Sequence, residues 1–230
     1  MYAIGPLHTM PSLTYKNLSD TKKQQILHIA FKEFTQHDYE NASVSSIIKQ
    51  LGIAKGSFYR YFRNKLDLYT YLVEYATTVR LDKVEHNLKG EAHQDFFDLL
   101  EENFFLRIKF EQQYPIYGQF LYNIMRERHS EVLGNIMLKT KKSLMNRVIQ
   151  MIGQYQKAQN ISSSLDIKTV AFLIIQIQFG LHDFITLSHF DVDDPSLTDL
   201  SKLPSLPDER IREIARKFVA VIRHGLLPVS

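Results

Sequence analysis

The sequence predicts an all-α fold of about nine helices, three short ones followed by a longer bundle. Apolar residues recur at three- and four-residue steps along most of the 230 residues. No segment shows the alternation of a half-buried strand or the turn chemistry of a hairpin. With 44% hydrophobic and 23% charged residues, the composition is that of a globular protein long enough to bury a sizeable core.

Helical periodicity begins at residues 20–36, where Ile26, Ala30 and Phe34 form one stripe with Leu27 and Phe31 beside it. Ser19 is a good N-cap, and Asp38 can take the left-handed conformation that ends a helix. Two short helices fit residues 43–51 and 54–61. Asn64 caps the next one, with Asp67 at its third position favouring the positive end of the helix dipole. This helix runs over residues 64–88, about 36 Å at 1.5 Å per residue, with Gly90 to stop it. Further helices are expected at 91–113, 115–128, 130–158, 166–190 and 208–224. Residues 191–207, with three prolines and four aspartates, read as an exposed loop. The organisation is an N-terminal arm (1–18), a three-helix module (19–63) and a helical bundle (64–230).

The three-helix module carries the functional signal. Ser43 caps a helix whose inward face is Val44, Ile47, Ile48 and Leu51, and Gly52 supplies the positive φ for an immediate turn. Ile53 and Phe58 then bury the second helix against the first. Lys49, Lys55, Ser57, Tyr59, Arg60 and Arg63 are left facing outward, donors suited to phosphates and base edges. Residues 41–66 hold five Lys or Arg and no Asp or Glu, a local excess that the net charge of +3 conceals. This pattern reads as a helix-turn-helix for DNA. A solvated helical hairpin inside a protein–protein adaptor is the other reading of the same residues.

The module resembles the TetR family of bacterial regulators. The matching residues are Ile26, Ala30 and Phe34; Ser43-Val44; Ile47; Leu51-Gly52-Ile53; Lys55 to Tyr59; Tyr61-Phe62; Asn64-Lys65 and Leu68, with the Gly56, Tyr59, Phe62, Lys65 spacing the most specific. The resemblance implies a recognition helix over residues 54–61 that enters the major groove. It assigns DNA contacts to Lys55, Ser57 and Tyr59, with Ser43 and Lys65 on phosphates; Gly56 and the outward Arg60 complete the candidate DNA-binding set. Two residues depart from the family pattern. Ala54 stands where a capping Ser or Thr is common, and Asp38 replaces the usual glycine after the first helix.

The resemblance further implies that the helical bundle dimerises through its last two helices and encloses a small-molecule effector, which would release a dimeric repressor from operator DNA. Residues 166–190 are apolar on too many sides for one stripe, which suits a helix buried by its own core and by a partner subunit, or else one fully internal to the bundle. The middle helices are rich in aromatics and methionines. Phe104, Tyr117, Tyr122, Met125, Met145, Gln178 and His182 are the candidate lining of a mostly apolar pocket with a few polar handles.

Other chemistries have little support. The chain has no cysteine, so disulfides, thiolate metal sites and a cysteine nucleophile are excluded. No phosphate-binding glycine loop, nucleophile elbow or His-Glu-x-x-His occurs, and no enzyme, metal or cofactor is expected. His86 with His93, and His182 with His189, share a helical spacing without further ligands. The N-terminus lacks a secretory pattern, and Gln176, Gln178, Gly180, His182 and Asp183 interrupt the most apolar segment. A cytoplasmic location without a membrane span is therefore the expectation.

Overall fold

A computed structural model describes residues 11–89, 95–126, 132–157, 161, 162, 164–189, 203 and 205–226, except for a few side chains within the helices. Among these residues there are ten helices and no strand. They are α1 (Leu13–Lys16), α2 (Asp20–Gln36), α3 (Val44–Leu51), α4 (Lys55–Tyr61), α5 (Lys65–Lys89), α6 (Phe96–Gln113), α7 (Pro115–Arg126), α8 (Gly134–Lys157), α9 (Ile167–His189) and α10 (Asp208–Leu226). The expected helix start at Glu91, most of the 191–207 loop, the His86 side chain and His93 lie outside the described residues.

Most boundaries follow the caps read from sequence. Ser19 Oγ accepts the Lys22 amide and Ser43 Oγ the Ser46 amide, each at 3.3 Å. Gly52 has φ 62°, and its N–H meets the carbonyls of Ile48 and Lys49, closing α3 for the turn into α4. At α5, Asn64 Oδ1 accepts the Asp67 amide at 2.8 Å while Asp67 Oδ2 accepts the Arg63 amide at 2.9 Å. This reciprocal pair satisfies two donors at the helix start.

Two local features differ from the sequence reading. α2 ends on His37 in extended geometry (φ −134°) rather than through a left-handed residue. Asp38 Oδ1 instead accepts the Asn41 amide at 2.8 Å and so builds the connection to α3. α1 was not anticipated: its four residues, capped by Ser12, are too few for any periodicity to register.

The chain forms two compact units, residues 1–79 with 116–138, and 80–115 with 139–230. The first encloses an aromatic core. Phe31 lies 4.8 Å from Tyr117 and 5.0 Å from Phe120, ring centre to ring centre, and Tyr15 of α1 packs on Phe62 at 5.0 Å and Tyr71 at 5.4 Å. Such edge and tilted contacts add about 1 kcal/mol each to the burial itself.

In the second unit α6, α8, α9 and α10 share a core including Phe96, Phe104, Ile152, Ile174, Ile185 and Ile211. Ion pairs tie α10 to α6, among them Arg212–Glu102 at 2.7 Å and Arg216–Glu101 at 3.0 Å, and the Arg212 guanidinium lies over the Phe105 ring.

α9 carries apolar residues on its outward as well as its inward side. Val170, Ala171, Ile174, Leu181 and Ile185 are buried, whereas Phe172, Leu173, Phe184 and Leu187 are 54%, 52%, 41% and 81% exposed. By length and composition alone Ile167–Ser188 could cross a membrane, with a mean hydropathy of 1.6 despite its polar residues. Just under half of its most apolar window is buried within the protein.

Among the described residues Gly52 is the only glycine with a positive φ. A Cβ there meets nothing within 4 Å, so Gly52→Ala acts through backbone strain alone. It should lower unfolding stability by about 1–2 kcal/mol, read from urea denaturation, with no change in helix content below the transition.

Candidate nucleic-acid interface

α4 has seven residues and no side-chain cap at Ala54, so it is held from outside. Phe58 is fully buried and Phe62, just beyond the helix, is 1% exposed. The two rings lie 5.8 Å apart. From the other side Ser12 clasps the end of the helix: its amide donates to the Tyr61 carbonyl at 3.2 Å, and its hydroxyl donates to the Arg60 carbonyl. With these anchors inward, Lys55, Gly56, Tyr59 and Arg60 are exposed and Ser57 is partly so.

The other two expected contact residues have structural partners. Ser43 is exposed, but its hydroxyl caps α3 and its amide donates to Glu33 Oε1 at 2.8 Å. Glu33 Oε2 accepts the Ser46 hydroxyl, also at 2.8 Å. This carboxylate, 5% exposed, was missed from sequence. Its only signal was an acidic residue adjoining the apolar stripe of α2. Lys65 Nζ donates to the carbonyls of Glu40 at 3.0 Å and Ala42 at 2.9 Å, and sits 4.7 Å above the Tyr39 ring. An ammonium has three donors. Two are spent on the α2–α3 connection, which leaves one.

Electrostatically the five-cation window is thinner than its sequence. Arg63 pairs with the buried Asp67, Nη2 to Oδ1 at 3.1 Å, an acid lying one residue beyond the window. Lys49, Lys55 and Arg60 are exposed and make no ion pair among the described residues.

The family description "Bacterial regulatory proteins, tetR family" matches residues 26–72, from the middle of α2 through the first two turns of α5. The N-terminal module is similar to the DNA-binding part of TetR family regulators. Over 80 residues the chain is 34% identical to the HTH-type transcriptional regulator YvdT of Bacillus subtilis (strain 168), covering 35% of this chain and 40% of that protein. Over 74 residues it is 42% identical to an HTH-type transcriptional regulator of Staphylococcus aureus (strain USA300), covering 32% and 40%. The match thus spans about two fifths of these curated relatives.

The TetR fold extends further. A TetR family regulator from Chloroflexus aurantiacus superposes with a TM-score of 0.71 at 23% identity, over 96% of this chain and 100% of the other. FadR from Bacillus subtilis, in complex with stearoyl-CoA, does so with a TM-score of 0.60 at 20% identity, over 84% and 97%.

The residues expected to line a pocket divide between the units. Tyr117, Tyr122 and Met125 belong to the first, where Tyr117 packs against Phe31 and Tyr75, and Tyr122 lies beside the Arg126 guanidinium. Burial and the neighbouring Tyr75 push the Tyr117 hydroxyl up to about 12. Phe104, Met145, Gln178 and His182 belong to the second. Phe104 is fully buried, Met145 packs on that core, Gln178 hydrogen-bonds Asn103, and His182 Nδ1 lies 2.9 Å from Glu111 Oε2.

Lys65 and Arg60 should therefore separate on substitution. Lys65→Met removes a charged donor from two carbonyls and should lower stability by about 2 kcal/mol. Arg60→Ala should change it by less than about 0.5 kcal/mol, as expected for an exposed side chain. Chemical denaturation of both variants checks this.

Proposed function

We propose that the chain is a DNA-binding transcriptional regulator, a dimeric repressor that a small, mostly hydrophobic ligand releases from its operator. The observation carrying this is the outward face of α4, where Lys55, Tyr59 and Arg60 stand exposed while Phe58 and Phe62 lock the helix from behind. Lys55 and Arg60 supply charge-assisted bonds to phosphates or guanine edges, Tyr59 and Ser57 supply hydroxyls, and Gly56 allows close approach of the backbone. Lys65 meets a phosphate with its remaining donor, and Ser43 with its hydroxyl. This surface is non-catalytic, and its partner is double-stranded operator DNA in the cytoplasm.

Dimerisation is supported by the second unit. Leu173, Phe184 and Leu187 continue along α9 as one exposed apolar strip, and Phe184 packs on Phe218 of α10 at 5.0 Å. Val221 of α10 adds a residue that is 74% exposed. Burying such a strip against a second copy releases about 25 cal/mol per Å² of apolar area, and two copies present two recognition helices to a two-fold operator. The ligand reading is supported by the solved FadR, which holds stearoyl-CoA. Helix α5 begins beside the DNA-facing module and its sequence continues into the second unit, which makes it the segment through which an effector would act.

Gel shift against the DNA upstream of the protein's own gene tests the reading. The wild type should bind specifically, with affinity falling steeply as salt rises. Tyr59→Ala and Arg60→Ala should each weaken specific binding tenfold or more while unfolding at the wild-type midpoint. Normal binding by both variants would remove α4 from the interface. For the dimer, Leu187→Glu should halve the mass in light scattering at micromolar concentration; an unchanged mass would place the contact elsewhere.

A further inference from the structure

Around Glu111 the second unit gathers more positive charge than negative. Arg107 of α6 is 12% exposed, its guanidinium lies 4.4 Å over the Phe179 ring, and its Nε is 3.6 Å from Glu111 Oε1, outside hydrogen-bond reach. The other oxygen of Glu111 takes His182 Nδ1 at 2.9 Å, so one carboxylate serves both groups. Arg80, on the α5 segment of the same unit, has this same carboxylate as its offsetting charge and is repelled by Arg107 and by Arg147 of α8. Burial first, and that repulsion second, bring its pKa down to about 9. Among the described residues no hydrogen bond or ion pair reaches the Arg80 guanidinium. Arg80 nonetheless keeps some solvent-accessible surface although protein surrounds it. Its guanidinium nitrogens are not among the fully enclosed polar atoms that lack a partner, so the group keeps contact with solvent.

Clustered guanidiniums in a low-dielectric interior repel one another unless an anion joins them. A planar fork suits carboxylate and phosphate oxygens above other acceptors. Phe179 and the apolar core around it offer nothing to a second polar group but suit a hydrocarbon body. We infer that the second unit binds an amphipathic organic anion, whose carboxylate or phosphate head lies between Arg80 and Arg107 and whose apolar body rests against Phe179. This assignment rests on reading the second unit as the effector-binding part of a regulator, and it specifies the effector's head group.

Isothermal titration of the full-length protein with decanoate, decyl phosphate and 1-decanol tests the assignment, the first two distinguishing a carboxylate from a phosphate head. Either anion should bind at least tenfold more tightly than the alcohol. Arg80→Met should lose that preference while melting no lower than wild type, because a repelled charge has been removed; Arg80→Lys should restore part of it. Equal binding of the alcohol, no binding of either anion, or unchanged anion binding by Arg80→Met would each overturn the site. Gel shift of the ligand-free protein is read separately. Anion binding without DNA binding upholds the site and refutes the regulator, and DNA binding without anion preference does the reverse.

Discussion

A helix of seven residues does not hold itself together in water, and α4 lacks even a capping side chain. Its conformation is imposed by what surrounds it. Phe58 and Phe62 anchor it to the aromatic core, and Gly52 sets the turn that leads into it. Ser12 bonds the carbonyls of Arg60 and Tyr61 at its far end. Remove these and the outward side chains lose their common face. The rest of the first unit, from the Glu33 bridge to α3 to the Lys65 clasp on the α2–α3 connection, keeps the platform under α4 rigid. Binding through a preorganised helix spares the ordering entropy that a loop of the same residues would lose on contact.

That constraint explains which parts were legible in sequence. The Ile26, Ala30, Phe34 stripe, the Ser43 and Asn64 caps and the Gly52 turn are local patterns, and local patterns are written in consecutive residues. Ser12, Glu33 and Lys65 act across 48, 10 and 25 residues respectively. No periodicity announces such partners. Lys65 shows the consequence, since resemblance alone gave it to a phosphate while the fold gives it two carbonyl partners first. Arg63 is similar: an outward cation in sequence, it is tied to Asp67 once α5 forms. The Asp38 connection and α1 escaped for the related reason that a turn and a four-residue helix carry too little pattern.

The second unit obeys different rules. Its helices were readable from apolar spacing, but its chemistry depends on which polar groups end up together. Arg107 and Glu111, four residues apart on α6, share a helix face, but nothing in the spacing brings Arg80 of α5 and His182 of α9 to them. In sequence Gln178 and His182 read as polar handles in an apolar helix. In the fold each has a protein partner, and the guanidinium left over is Arg80. The excess apolar surface of α9 was legible because composition alone reveals it.

The central claim is that DNA docks on the outward face of α4. Hydrogen–deuterium exchange of the full-length protein, with and without a duplex carrying the DNA upstream of its gene, tests this most directly. The account predicts slowed exchange across residues 41–66, strongest at 55–61. Binding that leaves those amides unchanged while protecting another surface would contradict it.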